Sequence, residues 1–194
     1  MHDQGAAGAE KKMSGCMIAA LIAGGVGALL LVGFGVLAVL GVSGMRRFIA
    51  ASKVAEARAN LGSISRAAVL AFESAQEAPG RLCGSATPVP ARAPRGTKYM
   101  PSAAEGQDYQ TGDAKNGWKC LKFSLNSPSF YQYHYNAGSG YLMPAAAPKA
   151  AGFEAAAVGD LDGDGVQSLF SMSGQIEGLT LKIAPSITTR DENE

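Results

Sequence analysis

Charge is absent from one long stretch: no charged side chain lies between Lys12 and Arg46. Proline is absent for longer, until Pro79. Neither sign of charge is in excess, with Lys+Arg 17 against Asp+Glu 16 and a net charge of +1, so nucleic acid is not an expected partner. No glycine-rich phosphate loop follows a strand pattern, and no serine has a nucleophile-elbow context. His134 stands between Tyr133 and Tyr135 with no cysteine or carboxylate at ligand spacing, which predicts a sheet residue rather than a metal ligand. Arg92, Arg95 and Lys98 form only a thin basic cluster. No catalytic constellation emerges, and the chain reads as non-enzymatic.

The uncharged run, residues 13–45, is the strongest positive signal. As a helix it measures roughly 50 Å, against about 30 Å of bilayer hydrocarbon. Its densest apolar part is Met17 to Val42. In lipid a helix satisfies its own backbone hydrogen bonds, so a transmembrane helix is expected. A cleaved secretory signal has an apolar region of only about 7 to 15 residues, and no small-x-small site closes this run before Arg46. A lipoprotein reading of Ser14-Gly15-Cys16 fails because Glu10, Lys11 and Lys12 precede the cysteine and the apolar run follows it. Ala20, Gly24 and Ala28 fall on one helix face, a small-residue stripe suited to helix packing; ordinary membrane-helix glycine content explains it equally well.

Beyond Arg46 the helical pattern continues to about residue 77. Val54, Leu61, Ile64, Ala68 and Phe72 make one apolar stripe, with Lys53, Glu56, Arg58, Arg66 and Glu73 expected in water. Pro79-Gly80 stops the helix. Residues 79–117 hold prolines 79, 88, 90, 94 and 101 and read as an irregular loop. Cys83 and Cys120 sit at its ends. They can close one disulfide in an oxidising compartment; the alternative is two reduced core residues of a cytosolic head.

Strands are expected at Trp118–Leu125, Phe130–Asn136, Phe153–Val158, Ser168–Ser173 and Leu179–Ile183, with Pro185 and the charged tail ending the fold. Tyr131, Tyr133 and Tyr135 form a cross-strand stripe. The layout is a polar tail at 1–12, a transmembrane helix at 13–45, and a head at 46–194. The head comprises helix 46–77, loop 79–117 and strands 118–184. The fold class is α+β, with the amphipathic half-helix covering a small antiparallel sheet. Lys11 and Lys12 on one flank, against Arg46, Arg47 and Lys53 on the other, lean against an exported head; the cysteines favour it.

The stretch Met45-Arg46-Arg47-Phe48-Ile49-Ala50-Ala51-Ser52-Lys53-Val54-Ala55-Glu56-Ala57-Arg58-Ala59-Asn60-Leu61 resembles the segment after the membrane helix of type IV pilins and type II secretion pseudopilins. Gly117-Trp118-Lys119-Cys120-Leu121-Lys122-Phe123 and Gly159-Asp160-Leu161-Asp162-Gly163-Asp164-Gly165 are similar to one branch of that group. The resemblance implies a single-pass inner-membrane subunit with its head in the periplasm or outside the cell, partnered by other pilin-like subunits or by pilus or secretion machinery. It also allows a leader cut between Gly15 and Cys16; the apolar segment is longer than the family's mature helix, which leaves an uncut leader as the alternative. The family's Phe-Thr-Leu-Ile-Glu start is missing: the fifth position after such a cut is Ala20, where a glutamate usually helps place the subunit in its filament.

Asp160, Asp162 and Asp164 alternate before Gly165, which is how a calcium loop begins. Three carboxylates so close repel one another unless a hard cation lies between them. Val166 can add a carbonyl and Ser168 a water-mediated contact. The bidentate glutamate of an EF-hand is replaced by Ser171, so the expectation is a structural Ca2+ turn, with a plain polar turn as the alternative.

Overall fold

The computed structural model describes residues 15–74 and 81–192. The expected polar tail at 1–12 and the expected helix end at 75–77 lie outside the described residues. The chain divides into two units, Met1–Phe48 and Ile49–Glu194.

In the first unit every described residue belongs to helix α1 (Gly15–Ser74). Its window Gly24–Gly41 has a mean hydropathy of 2.2 and no buried residue, so the helix is long and apolar enough to cross a membrane. Leu29, Leu31, Phe34, Leu37 and Leu40 are all exposed on its surface.

In the second unit the remainder of α1 covers a six-stranded antiparallel sheet. The strands are β1 (Ala86–Val89), β2 (Gln132–Ala137), β3 (Gly152–Gly159), β4 (Ser168–Glu177), β5 (Thr180–Ile183) and β6 (Thr188–Arg190). The order is β1-β2-β3-β4-β5, with β6 pairing β4 beside β5. The predicted stripe Val54, Leu61, Ile64, Ala68 and Phe72 is buried, joined by Ala57. Spacing of three and four residues puts all six on one helix face.

Alternation along β3 divides the two faces of the sheet. Phe153, Ala155 and Ala157 belong to the main core beneath α1, while Ala156 and Val158 belong to a smaller cluster on the outer face. The register sets Tyr133 opposite Ala157 and Tyr135 opposite Ala155, so each ring has a small neighbour across the ladder. Gly159 is required for the same reason: a Cβ there would lie 2.6 Å from the Tyr131 ring.

Three expectations need correction. Trp118–Leu125 is not a strand. Gly117–Leu121 forms the short helix α2, ended by Lys122 in the left-handed conformation at φ 53°. Trp118 and Leu121, three apart, share its buried face, and alternating apolar residues over so short a run fit either periodicity. Second, the 79–117 loop holds a strand: β1 carries Pro88, which an edge strand tolerates. Third, Pro185 does not end the fold, because Thr188–Arg190 returns to the sheet as β6.

Candidate functional site

The turn from β3 to β4 gathers Asp160, Asp162 and Asp164 as the sequence suggested. One carboxylate oxygen from each lies within 4.8 Å of the others. Asp160 is buried, and its carboxylate holds the loop together. It accepts the Gly163 N–H at 2.7 Å and the Gly165 N–H at 3.1 Å, while Arg95 Nε stands 3.9 Å away. Gly163 and Gly165 have φ of +86° and +101°, which favours glycine at both. Asp162 and Asp164 are exposed and accept the N–H groups of Asp164 and Val166, at 3.2 and 2.7 Å.

Two neighbours fix the loop from outside. The Gly96 N–H donates to the Asp160 carbonyl at 2.7 Å, and Lys53 Nζ of α1 donates to the Leu161 carbonyl at 3.2 Å. An all-oxygen set of this kind suits a hard cation such as Ca2+. Ser168 is committed elsewhere: its hydroxyl donates to the Gly159 carbonyl at 3.0 Å. Ser171, at the position of the EF-hand glutamate, is buried and bonded to Glu154.

Lys53 and Glu56, expected in water, instead join a cluster the sequence did not reveal. Lys53 Nζ lies 4.3 Å above the Phe130 ring and Lys98 Nζ lies 4.9 Å from it. Glu56 accepts the Ser129 hydroxyl at 2.5 Å and the Phe130 N–H at 3.2 Å, with Lys98 at 3.8 Å. Nothing in the spacing of Lys53, Glu56, Lys98 and Phe130 announces it, because the contacts join residues more than thirty positions apart on the chain.

Cys83 and Cys120 form a disulfide with Cα atoms 5.8 Å apart. It ties the start of the long connection to α2, beside the Gly84 N–H to Lys115 carbonyl and Gly117 N–H to Gly84 carbonyl bonds. Trp118 anchors the same corner: its Nε1 donates to the Thr87 carbonyl at 2.8 Å, and Tyr109 meets its ring edge-on at 5.0 Å.

His134 is a sheet residue of β2, bonded through Nε2 to Gln132 Oε1 at 2.9 Å. Burial pushes its pKa down to about 4, with the nearby Glu154 pulling the other way. The tyrosine stripe packs as expected, and Tyr133 reaches further, its hydroxyl accepting from Asn60 Nδ2 at 2.7 Å. Burial raises the Tyr133 pKa to about 12, opposed by its bonds to Asn60 and Ser129.

On α1, Gly24 and Ala28 are exposed, and nothing lies within 4 Å of a Cβ built on Gly24. The side chains of Ala20 and Cys16 lie outside the described residues, and Gly15 is the first described residue of the helix.

Among the described residues the chain carries one membrane-length apolar helix, and its α+β head holds a disulfide and an acidic turn. No protein-family model, no curated protein and no solved structure matches this chain.

Proposed function

We propose that this chain is a pilin-like structural subunit, a minor pilin or pseudopilin of a type IV pilus or type II secretion system. One observation carries the reading. The same helix, α1, holds the uncharged membrane-length window Gly24–Gly41 and the buried stripe Val54 to Phe72 that forms the head's core. An anchor whose own helix nucleates a small antiparallel head is the arrangement the sequence resemblance calls for. On this reading the helix sits in the inner membrane with the head in the periplasm or outside the cell. The Cys83–Cys120 bridge supports an oxidising compartment. Lateral packing uses the face of Ala20, Gly24 and Ala28. Asp160, Asp162 and Asp164 take a Ca2+ ion that stiffens the β3–β4 turn, a structural rather than catalytic role.

Ala20 favours a second reading, a membrane-anchored binding module that uses the head without polymerising. It stands where the family's glutamate would follow a cut after Gly15. Mass spectrometry of the mature N-terminus separates the two. An N-methylated terminus at Cys16 supports assembly; an intact Met1 overturns it in favour of the anchored module.

A further inference from the structure

We propose that Glu154 is a proton-operated clasp that holds the 138–151 connection closed over the outer face of the sheet. Glu154 lies in the middle of β3, on the face turned away from α1, and is fully buried. The donors that reach its carboxylate are all neutral, and two belong to the connection itself. The Leu142 N–H donates to Oε2 at 2.6 Å and the Met143 N–H to Oε1 at 2.9 Å. Ser171 Oγ of β4 donates to Oε1 at 2.8 Å, and Asn136 Nδ2 of β2 approaches Oε2 at 3.4 Å. A charged acceptor shared among several N–H and O–H donors makes short, strong bonds.

The clasp closes over an apolar patch. Met143, with Leu142 and Ala146, packs on Ala156, Leu169 and Val158. That cluster is small, and the ends of the connection, residues 138–140 and 149–151, are exposed. The ends are held by other bonds, Gly138 N–H and the Tyr141 hydroxyl to the Gly152 carbonyl at 2.9 and 3.2 Å and Ile176 N–H to the Ala151 carbonyl at 2.8 Å, while the carboxylate holds Leu142 and Met143 between them.

Protonation turns an acceptor into a donor. Each carboxylate oxygen takes two donors, Leu142 N–H with Asn136 on Oε2 and Met143 N–H with Ser171 on Oε1. Ser171 Oγ can turn to accept the new O–H, but neither backbone N–H can, so both lose a charged acceptor and the connection loosens. The titratable groups facing this site are few. His134 of β2 lies on the same face and feels the Glu154 charge, and Tyr141 of the connection feels it too. From β4 the facing partner is Ser171, which does not titrate here. Protonating His134 would place a cation beside Glu154 and favour its ionised form, so His134 works against release rather than causing it.

Amide hydrogen exchange on the full chain in detergent micelles tests the clasp. Protection is corrected for intrinsic rates and followed from neutral pH down to the onset of global unfolding. Protection of the Leu142 and Met143 amides is expected to fall at least tenfold more than that of the β2 and β3 amides. The same fall should persist in His134→Gln. In Glu154→Gln, those two amides should be weakly protected already at neutral pH and indifferent to acid. A flat profile in the native chain overturns the proposal, as does loss of the effect in His134→Gln. So does full protection of Leu142 and Met143 in Glu154→Gln. If Glu154→Gln does not fold, the native and His134→Gln titrations decide on their own.

Discussion

Asn60 of α1 and Tyr133 of β2 meet across the helix–sheet interface, the amide donating to the phenol oxygen at 2.7 Å. It is the polar contact that sets the helix against the tyrosine stripe, among rings that are otherwise fully buried. Ser129 Oγ also reaches the same hydroxyl at 3.3 Å. Tyr133→Phe leaves the Asn60 amide short of an acceptor and should cost about 1 kcal/mol of head stability. Denaturant unfolding followed by Trp118 fluorescence reads it, since the chain has one tryptophan and it is buried in the head. No change in midpoint would mean that the contact does not form in solution.

His134 should make the head acid-sensitive. Its folded pKa, about 4, lies below the unfolded value of 6.5, so the unfolded chain takes up the proton first as pH falls. Its contribution is therefore fully present above about pH 6.5 and is lost as pH falls towards about 4, where the loss reaches about 3 kcal/mol. His134→Gln should flatten that part of the stability profile. A profile equally steep with and without the imidazole would assign the loss to carboxylates instead.

Much of the head was legible because its periodicities are long or clean. The stripe from Val54 to Phe72 repeats over several turns, and β3 and β4 show apolar residues between turn signals. The acidic turn was legible because its three aspartates are local. Other features were not. Gly117–Leu121 alternates like a strand, yet a disulfide and the buried Trp118 ring hold it as a helical turn. β1 was hidden by Pro88, and β6 is only Thr188–Arg190. Glu154 was invisible as a site because its donors come from β2, β4 and the irregular connection before β3, which no periodicity brings together.

Removing the bridge with Cys83→Ser and Cys120→Ser together should lower head stability by about 3–4 kcal/mol, given a sequence separation of 37. The same midpoint shift should appear on treating the native chain with a reductant. Insensitivity to reductant would show the pair unbridged in solution.

The three aspartates should behave differently. Asp160→Asn weakens the acceptor for two backbone N–H groups and should destabilise the head with or without Ca2+. Asp162→Asn and Asp164→Asn, at exposed positions, should matter only when Ca2+ is present. Melting with Ca2+ and with chelator separates them: a melting temperature unmoved by chelator in the native chain removes the cation from the account.

The buried stripe of α1 forms the core of the head. Leu61 and Ile64 are both fully buried in it. Unfolding of the full chain in micelles, read at Trp118 for Leu61→Ala and Ile64→Ala, tests that most directly. Each should lower head stability by about 2–5 kcal/mol. Losses under about 0.5 kcal/mol at both positions, as for surface sites, would contradict it.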